Sequence, residues 1–489
     1  MVKRLEAFLN SRILKFFLIF SLSVSLLSYL IQIFYFEEFH SLEFNNTSFS
    51  MLLAREGLSA YKPIFKEIVL IAFYGPLNYL LPAFFAKLFH CAGSPYSFLV
   101  LYRLLGFFAL LGVLYLTFIM VKKISRNENF ALLVTNIILA KPWVVTSARP
   151  DNFALFCVLL ALSIALKEDL SKTRLFLIGS LCLAAFLFHQ RFLGLFMGLL
   201  IYFLLKRKIQ GLCFFAFSFI FAGLLIILPL SIKTKGEVLT HFFLANYITI
   251  KDFLTSSLLS IFLREGRLFF LLLVSGIFSF LAACIIGKLD IRRIIFFYAF
   301  FCLAINLNGL RLQGAAENVF LEMVVVLAFV IAEFIGLAKE KRFKEKIIKT
   351  YMLVMVFLLT FPCQNVFEVL RQWRAEILGS RARYDQTVGF ERKLSQFITT
   401  PLFTDDQAVA YKTNHPESAN TASFYWNVFF SRGLSNPEYT AAKFRQGFYS
   451  TIILNQNSPV YRIFGKDIVQ NYILTEKLNK WDIWKSRLK

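Results

Sequence analysis

Residues 13–36 read ILKFFLIFSLSVSLLSYLIQIFYF, and Glu37-Glu38 follow at once. The run exceeds the roughly 20 residues that cross a bilayer's hydrocarbon. It is also longer than a secretory h-region and has no Ala-x-Ala exit, so it reads as a retained first span and not a cleaved leader. Working outward by length and flanks, further apolar runs lie at about 97–121, 129–147, 152–166, 174–190, 192–205, 209–232, 267–287, 291–307, 319–338 and 347–363. The fold class expected is therefore an all-α polytopic membrane protein of about eleven transmembrane helices. Residues 68–90 are apolar too, but Tyr74-Gly75-Pro76 and Pro82 interrupt them, which suits a helix lying partly in the interface.

Composition agrees with a membrane chain: 58% of the 489 residues are hydrophobic, and the mean hydropathy is +0.64. Lys and Arg number 53 against 30 acids, a net charge of +23. In a soluble protein that excess would point to nucleic acid, but no nucleic-acid motif accompanies it and cytoplasmic anchoring accounts for it. The seven cysteines lack CxxC spacing and lie mostly in or beside apolar runs, as small core residues do.

Charge placement orients the threading. With the N-terminus cytoplasmic, the inner connections carry Lys3, Arg4, Arg12 and Lys15; Lys122, Lys123 and Arg126; Lys167, Lys172 and Arg174; Lys206, Arg207 and Lys208; Lys288, Arg292 and Arg293; and six Lys/Arg from Lys339 to Lys349. The outer connections at 148–152 and 189–191 are far poorer in positive charge, and the outer loop at 233–266, with four cations, is the exception. An odd number of spans puts residues 364–489 outside. There the long apolar runs stop and Asp, Asn, Ser and Thr increase, so 1–363 reads as a transmembrane domain and 364–489 as a small soluble α/β domain. Short strands are expected at Leu402 to Thr404, Thr451 to Leu454 and Tyr472 to Thr475, and helices at Phe367 to Ile377 and Phe390 to Ile398. Asp405-Asp406 at a strand end reads as a solvated turn before it reads as a metal site.

The same threading gathers the unusual polar clusters on the outer face: Glu37-Glu38, Tyr74-Gly75-Pro76-Leu77, Ala148-Arg149-Pro150-Asp151, His189-Gln190-Arg191 and Gly314 to Asn318. The first outer loop, about 37–66, also holds Glu43, Asn45, Asn46 and Arg55, with helical spacing from Met51 that ends at Gly57. Taken in order with Tyr102-Arg103-Leu104-Leu105 and Ser147 to Asp151, this resembles the GT-C glycosyltransferase superfamily, specifically its bacterial protein O-mannosyltransferase-like (family 39-like) group. That group has an acidic first-loop motif, an Ala-Arg helix, a Tyr-x-Pro-Leu segment, an Ala-Arg-Pro-Asp step and a Gly-Ala-x-x-Asn step, matched here over roughly residues 13–340.

The resemblance implies an enzyme that moves a sugar from a polyprenyl-phosphate donor to an envelope glycan, lipid or protein at the outer face of the plasma (inner) membrane. Partners are then the lipid-linked donor, the acceptor and membrane lipid, with no nucleic acid. No cofactor is required by the residues, and a divalent metal is left open. Such a transfer needs a carboxylate to take the acceptor's proton and cations to hold the phosphate. The candidate bases are Glu37, Glu38, Glu43 and Asp151, and the candidate substrate-binding residues are Arg55, Tyr74, Arg149, His189, Gln190, Arg191, Arg311 and Asn318.

The chain departs from that group where the first-loop aspartate is expected, because Asn45-Asn46 stand there and an amide is no base. Either a nearby acid takes the role or the protein is a non-catalytic relative. A lipid-linked-substrate flippase is the third reading, and the repeat symmetry it calls for is not evident. Bland alternatives stand beside each site residue: Asp151 as a helix cap or as the partner of Arg149 in a structural pair, Glu37-Glu38 as a solvated span end, the 189–191 group as interface anchors, and Tyr74-Gly75-Pro76 as a turn.

Overall fold

The computed structural model describes residues 11–34, 43–63, 70–139, 148–167, 170–244, 276, 293–309, 319–340, 362–363, 366–367, 393–418, 437–478 and 480–488. The chain is mostly helical, and its contacts divide it into two compact units.

The first unit comprises Met1–Tyr35, Leu105–Ile226 and Lys251–Trp373. Its helices are α1 (Arg12–Gln32), most of α4 (Pro95–Ser125), α5 (Glu128–Leu139), α6 (Asp151–Ala165), α7 (Lys172–Phe188), α8 (Gly194–Leu205), most of α9 (Ile209–Lys233), α10 (Arg293–Gly309) and α11 (Val319–Glu340). The second unit holds α2 (Glu43–Glu56) and α3 (Pro76–Leu88).

Among the described residues, α1, α4 and α9 are long and apolar enough to cross a membrane. Their outer surfaces show the solvent they are made for. The helix α9 buries only Phe215 and Ser218 and presents Phe217, Ile220, Leu224, Leu225, Leu228 and Ile232 outward. So much exposed apolar surface would be costly in water and costs nothing in hydrocarbon. Each expected run from 13–36 to 209–232, and those at 291–307 and 319–338, coincides with one of these helices within a few residues, although α5 is described only to Leu139. The expected spans at 267–287 and 347–363 lie outside the described residues, apart from 276, 362 and 363.

Small residues let the helices of this unit approach closely. A Cβ on Gly194 would stand 2.9 Å from the Cys302 backbone and one on Gly198 2.8 Å from the Tyr298 nitrogen, so α8 and α10 meet backbone to backbone. Gly179 meets α9 in the same way, its Cβ position lying 2.9 Å from the Phe215 carbonyl. Polar bonds fix the remaining neighbours: Asn136 Nδ2 on α5 donates to the Leu18 carbonyl on α1 at 3.1 Å, and Tyr29 donates to the Leu139 carbonyl. At the end of α5, Glu128 accepts from Lys15 at 2.8 Å and Lys122 at 3.2 Å.

The second unit comprises Phe36–Leu104, Ile227–Ile250 and Arg374–Lys489. The helix α2 is buried from Glu43 to Ala54 and ends at Gly57, whose φ of +70° suits a residue without a Cβ. It begins eight residues before the Met51 start suggested by spacing. Gly75 and Pro76 open α3, a proline at the first helical position having no N–H to leave unsatisfied.

The unit also contains a four-stranded sheet in the order β1 (Leu402–Thr404), β2 (Thr451–Asn455), β4 (Trp481–Ser486), β3 (Tyr472–Leu478). The pair β1·β2 is parallel and the others antiparallel. Residue alternation divides the core between its faces: Phe403, Ile452 and Leu454 pack with Phe444, Val460 and Phe464, while Leu402, Ile453 and Ile483 pack with Leu394 and Val409. The helices here are α12 (Gln407–Lys412), α13 (Pro437–Arg445) and α14 (Pro459–Asn471). The three expected strands are present; β4, α12, α13 and α14 were not expected. Residues 393–397 are helical within the expected Phe390 to Ile398, and the expected helix from Phe367 lies beyond the described residues after 367. Where a solvated turn was expected, the half-buried Asp406 instead caps α12 by accepting from the Ala408 and Val409 amides.

Candidate active site

In the first unit, Pro150 stands at the N-cap of α6 and the helix opens on Asp151. The cap position expected for Asp151 therefore belongs to its neighbour. The carboxylate turns instead to Arg149, whose Nε donates to Oδ2 at 3.0 Å, with both side chains buried. The preceding Ala148 is fully buried, so this charged pair is held within protein.

The helix α7 brings His189 to it. Phe153 in the first turn of α6 stacks on Phe188, the last residue of α7, with centroids 5.2 Å apart and planes 15° apart. The backbone then becomes extended at His189, placing its Nε2 3.9 Å from Asp151 Oδ1. That is too long for a direct hydrogen bond. The Arg191 amide lies 3.5 Å from Nδ1 as donor, which leaves Nε2 as the proton-bearing nitrogen facing the acid. Gln190 and Arg191 occupy the turn between α7 and α8, half-buried. The arrangement joins a carboxylate oriented from one side by a guanidinium, an imidazole facing its other oxygen, and a second guanidinium two residues on. These are the groups needed to accept a hydroxyl proton and hold a phosphate.

Glu43 belongs to the second unit and is bound differently. Arg103 on α4 grips it with both arms, Nε to Oε1 at 2.8 Å and a terminal nitrogen to Oε2 at 2.9 Å, and neither side chain is exposed. Next to it the two asparagines have structural partners. Asn45 Nδ2 donates to the Ile71 carbonyl at 2.9 Å, while Tyr79 donates to Asn46 Oδ1 at 3.4 Å and accepts from the Tyr74 amide at 3.1 Å. His241 completes the hold on this segment: its Nδ1 accepts from the Ala72 amide at 3.1 Å, so Nε2 carries the proton donated to the Lys62 carbonyl at 2.8 Å. Burial pushes this imidazole down to about 4. Thus residues 70–74, buried and without regular structure, have peptide groups bonded by side chains from three directions, as buried backbone requires.

Arg55 is exposed and donates to the Ala92 carbonyl at 2.9 Å and to Asn414. Tyr74 is buried and precedes the Gly75-Pro76 opening of α3. Glu37, Glu38, Arg311 and Asn318 lie outside the described residues. Among the described residues, no three of His, Cys, Asp and Glu stand close enough to hold a metal ion.

Sequence reasoning quoted Arg103 within a motif without giving it a role, and passed over His241 and a buried group around Glu322. A lone arginine inside the apolar run of α4 was the available signal for the first. Glu322 carried a similar signal, an acid among the apolar residues of α11. His241, in a polar loop, offered none.

No family model matches the chain, and no curated protein matches its sequence. Among solved structures, it is similar to the crystal structure of ArnT from Cupriavidus metallidurans bound to undecaprenyl phosphate, with a TM-score of 0.61 and 11% identity over 95% of this chain and 97% of that one. The archaeal oligosaccharyltransferase AglB from Archaeoglobus fulgidus, in complex with an inhibitory peptide and a dolichol-phosphate, aligns over 98% of this chain and 75% of that one at 11% identity, with a TM-score of 0.49. With the alignment spanning nearly the whole of both chains, the protein shares the fold of that ArnT structure.

Proposed function

We propose that the chain transfers a sugar from a polyprenyl-phosphate donor to an acceptor of the cell envelope, a glycan, lipid or protein, at the outer face of the plasma membrane. The observation that carries this reading is the buried Arg149, Asp151 and His189 group at the opening of α6. The shared fold supports it, since the ArnT structure holds a polyprenyl phosphate. In the reaction, the acceptor oxygen attacks the anomeric carbon, the bond from that carbon to the phosphate oxygen breaks, and the lipid phosphate leaves with the electron pair. Asp151 takes the acceptor's proton, Arg149 orients it, and Arg191 with the His189 Nε2–H meets the charge that develops on the phosphate. No covalent enzyme intermediate is needed. The topology that accompanies the reading has a cytoplasmic N-terminus, about eleven spans over 1–363, and residues 364–489 as an extracytoplasmic domain.

The test is transfer of a labelled sugar from polyprenyl phosphate to membrane acceptors by purified variants. Asp151→Asn, which keeps the shape of the side chain and an acceptor oxygen for Arg149, is expected to lower kcat by roughly 100-fold or more while the chain remains folded by gel filtration. Full activity in Asp151→Asn and in single Gln variants of Glu37, Glu38 and Glu43 removes the mechanism. One observation favours a non-catalytic scaffold: Asn45 uses its amide as a donor to Ile71, which an aspartate could not do. Absence of transfer by the native chain, with envelope glycans identical by mass spectrometry in its presence and absence, selects that reading.

A further inference from the structure

Glu322 is an acid in the first turn of α11, 1% exposed, and the mechanism above does not use it. Both of its oxygens accept from α10: Oε1 from the Tyr298 hydroxyl at 2.9 Å and Oε2 from Asn306 Nδ2 at 3.0 Å. Asn306 also donates to the Cys302 carbonyl at 2.9 Å. Tyr298 and Cys302 are the residues on which Gly198 and Gly194 of α8 close, at 2.8 and 2.9 Å for an added Cβ. Gly194 stands three residues after Arg191, and the intervening turn is tied by Phe192 N–H to the His189 carbonyl at 3.1 Å and Leu193 N–H to the Arg191 carbonyl at 2.9 Å. A continuous run of short contacts, all within the first unit, therefore leads from Glu322 through α10 to the turn that carries His189, Gln190 and Arg191.

An apolar helix pair needs no carboxylate to pack, and a buried acid is weak as a source of stability but strong as a way of fixing register. We infer that Glu322 is a positioning residue: by pinning Tyr298 and Asn306 it sets where α8 begins, and so holds the 189–191 turn against Asp151. This deepens the proposed transfer and rests on that reading for its functional consequence, though not for its geometry.

The test removes the acceptors and then gives one back. Glu322→Ala removes both, whereas Glu322→Gln keeps an oxygen for Asn306 while its amide can donate to the Tyr298 oxygen. A fluorinated phenylalanine placed at position 192, where the native ring lies 5.7 Å from His189, reports the turn by 19F NMR independently of activity. E322A is expected to shift or split the resonance and to lower kcat at least tenfold with less than a twofold change in KM, and E322Q to return both most of the way. Tyr298→Phe, which removes one hydroxyl, is read by the same criterion should E322A fail to fold. An unmoved resonance overturns the proposal even if transfer falls, and so does a shift as large in E322Q as in E322A. A resonance that moves and returns while no chain, native included, transfers sugar overturns the transferase reading and leaves the positioning role standing.

Discussion

Two carboxylate–guanidinium pairs, one in each unit, show how differently the same chemical groups are used. Glu43 and Arg103 are 60 residues apart in the chain; both acid oxygens are gripped, and burial is complete. Arg149 and Asp151 are two residues apart, with Arg149 Nε donating to Oδ2 at 3.0 Å and a histidine facing the other oxygen just beyond bonding distance. The first geometry spends the acid's acceptors on holding one helix to another. The second orients a carboxylate from one side, as a proton acceptor must be oriented.

The largest effect expected from this contrast is on folding. Arg103→Ala leaves Glu43 buried and uncompensated, which costs about 3–5 kcal/mol, and folded protein should be lost from detergent extracts assayed by gel filtration. Arg149→Ala, whose partner Asp151 still has His189 facing its other oxygen, should lose less folded protein in that assay and lower transfer. If the two variants behave alike, the distinction between the pairs fails.

A middle-sized effect concerns Asn45, which stands where the sequence resemblance would put an acid. Asn45→Asp removes the donor to Ile71 and sets a carboxylate against a carbonyl, a loss of roughly 1–3 kcal/mol in thermal unfolding. No transfer should be gained. A gain would show that the second unit, not Asp151, supplies the base.

The smallest concerns His241. Its value in the folded chain, about 4, is below the ordinary histidine value of about 6.5. The neutral form is the one that accepts from Ala72, so its contribution is complete above about pH 6.5 and is lost as pH falls toward 4. His241→Gln should flatten the stability curve relative to the native chain by on the order of 1 kcal/mol at pH 5.5. Superimposable curves would mean that the hold on residues 70–74 does not depend on this ring.

Local signals explain what was legible. The apolar helices were readable because hydrocarbon demands length and apolarity, both local properties, and the pair Arg149–Asp151 was readable because its partners are two residues apart. Strand β1 was marked by Leu402-Phe403-Thr404 before two acids. Strand β4 was hidden, since Trp481-Asp482-Ile483-Trp484 buries an acid that accepts from Tyr461 at 2.9 Å across the sheet's connection, and a buried Asp reads as a loop. The grip of Arg103 on Glu43 and the use of Asn45 by Ile71 depend on partners 60 and 26 residues away. The resemblance implied an aspartate in place of the amide, and what the amide does there depends on a carbonyl that only the fold brings near.

The helix from Ile209 to Lys233 has one more consequence. Lipid tails ask of a residue only that it dissolve among them, so the outward positions of this helix, such as Phe217, Ile220, Leu224, Leu225 and Leu228, can exchange one oily side chain for another at little cost. Long surfaces of this kind drift freely over evolutionary time, and an architecture can outlive almost all resemblance between the letters that spell it.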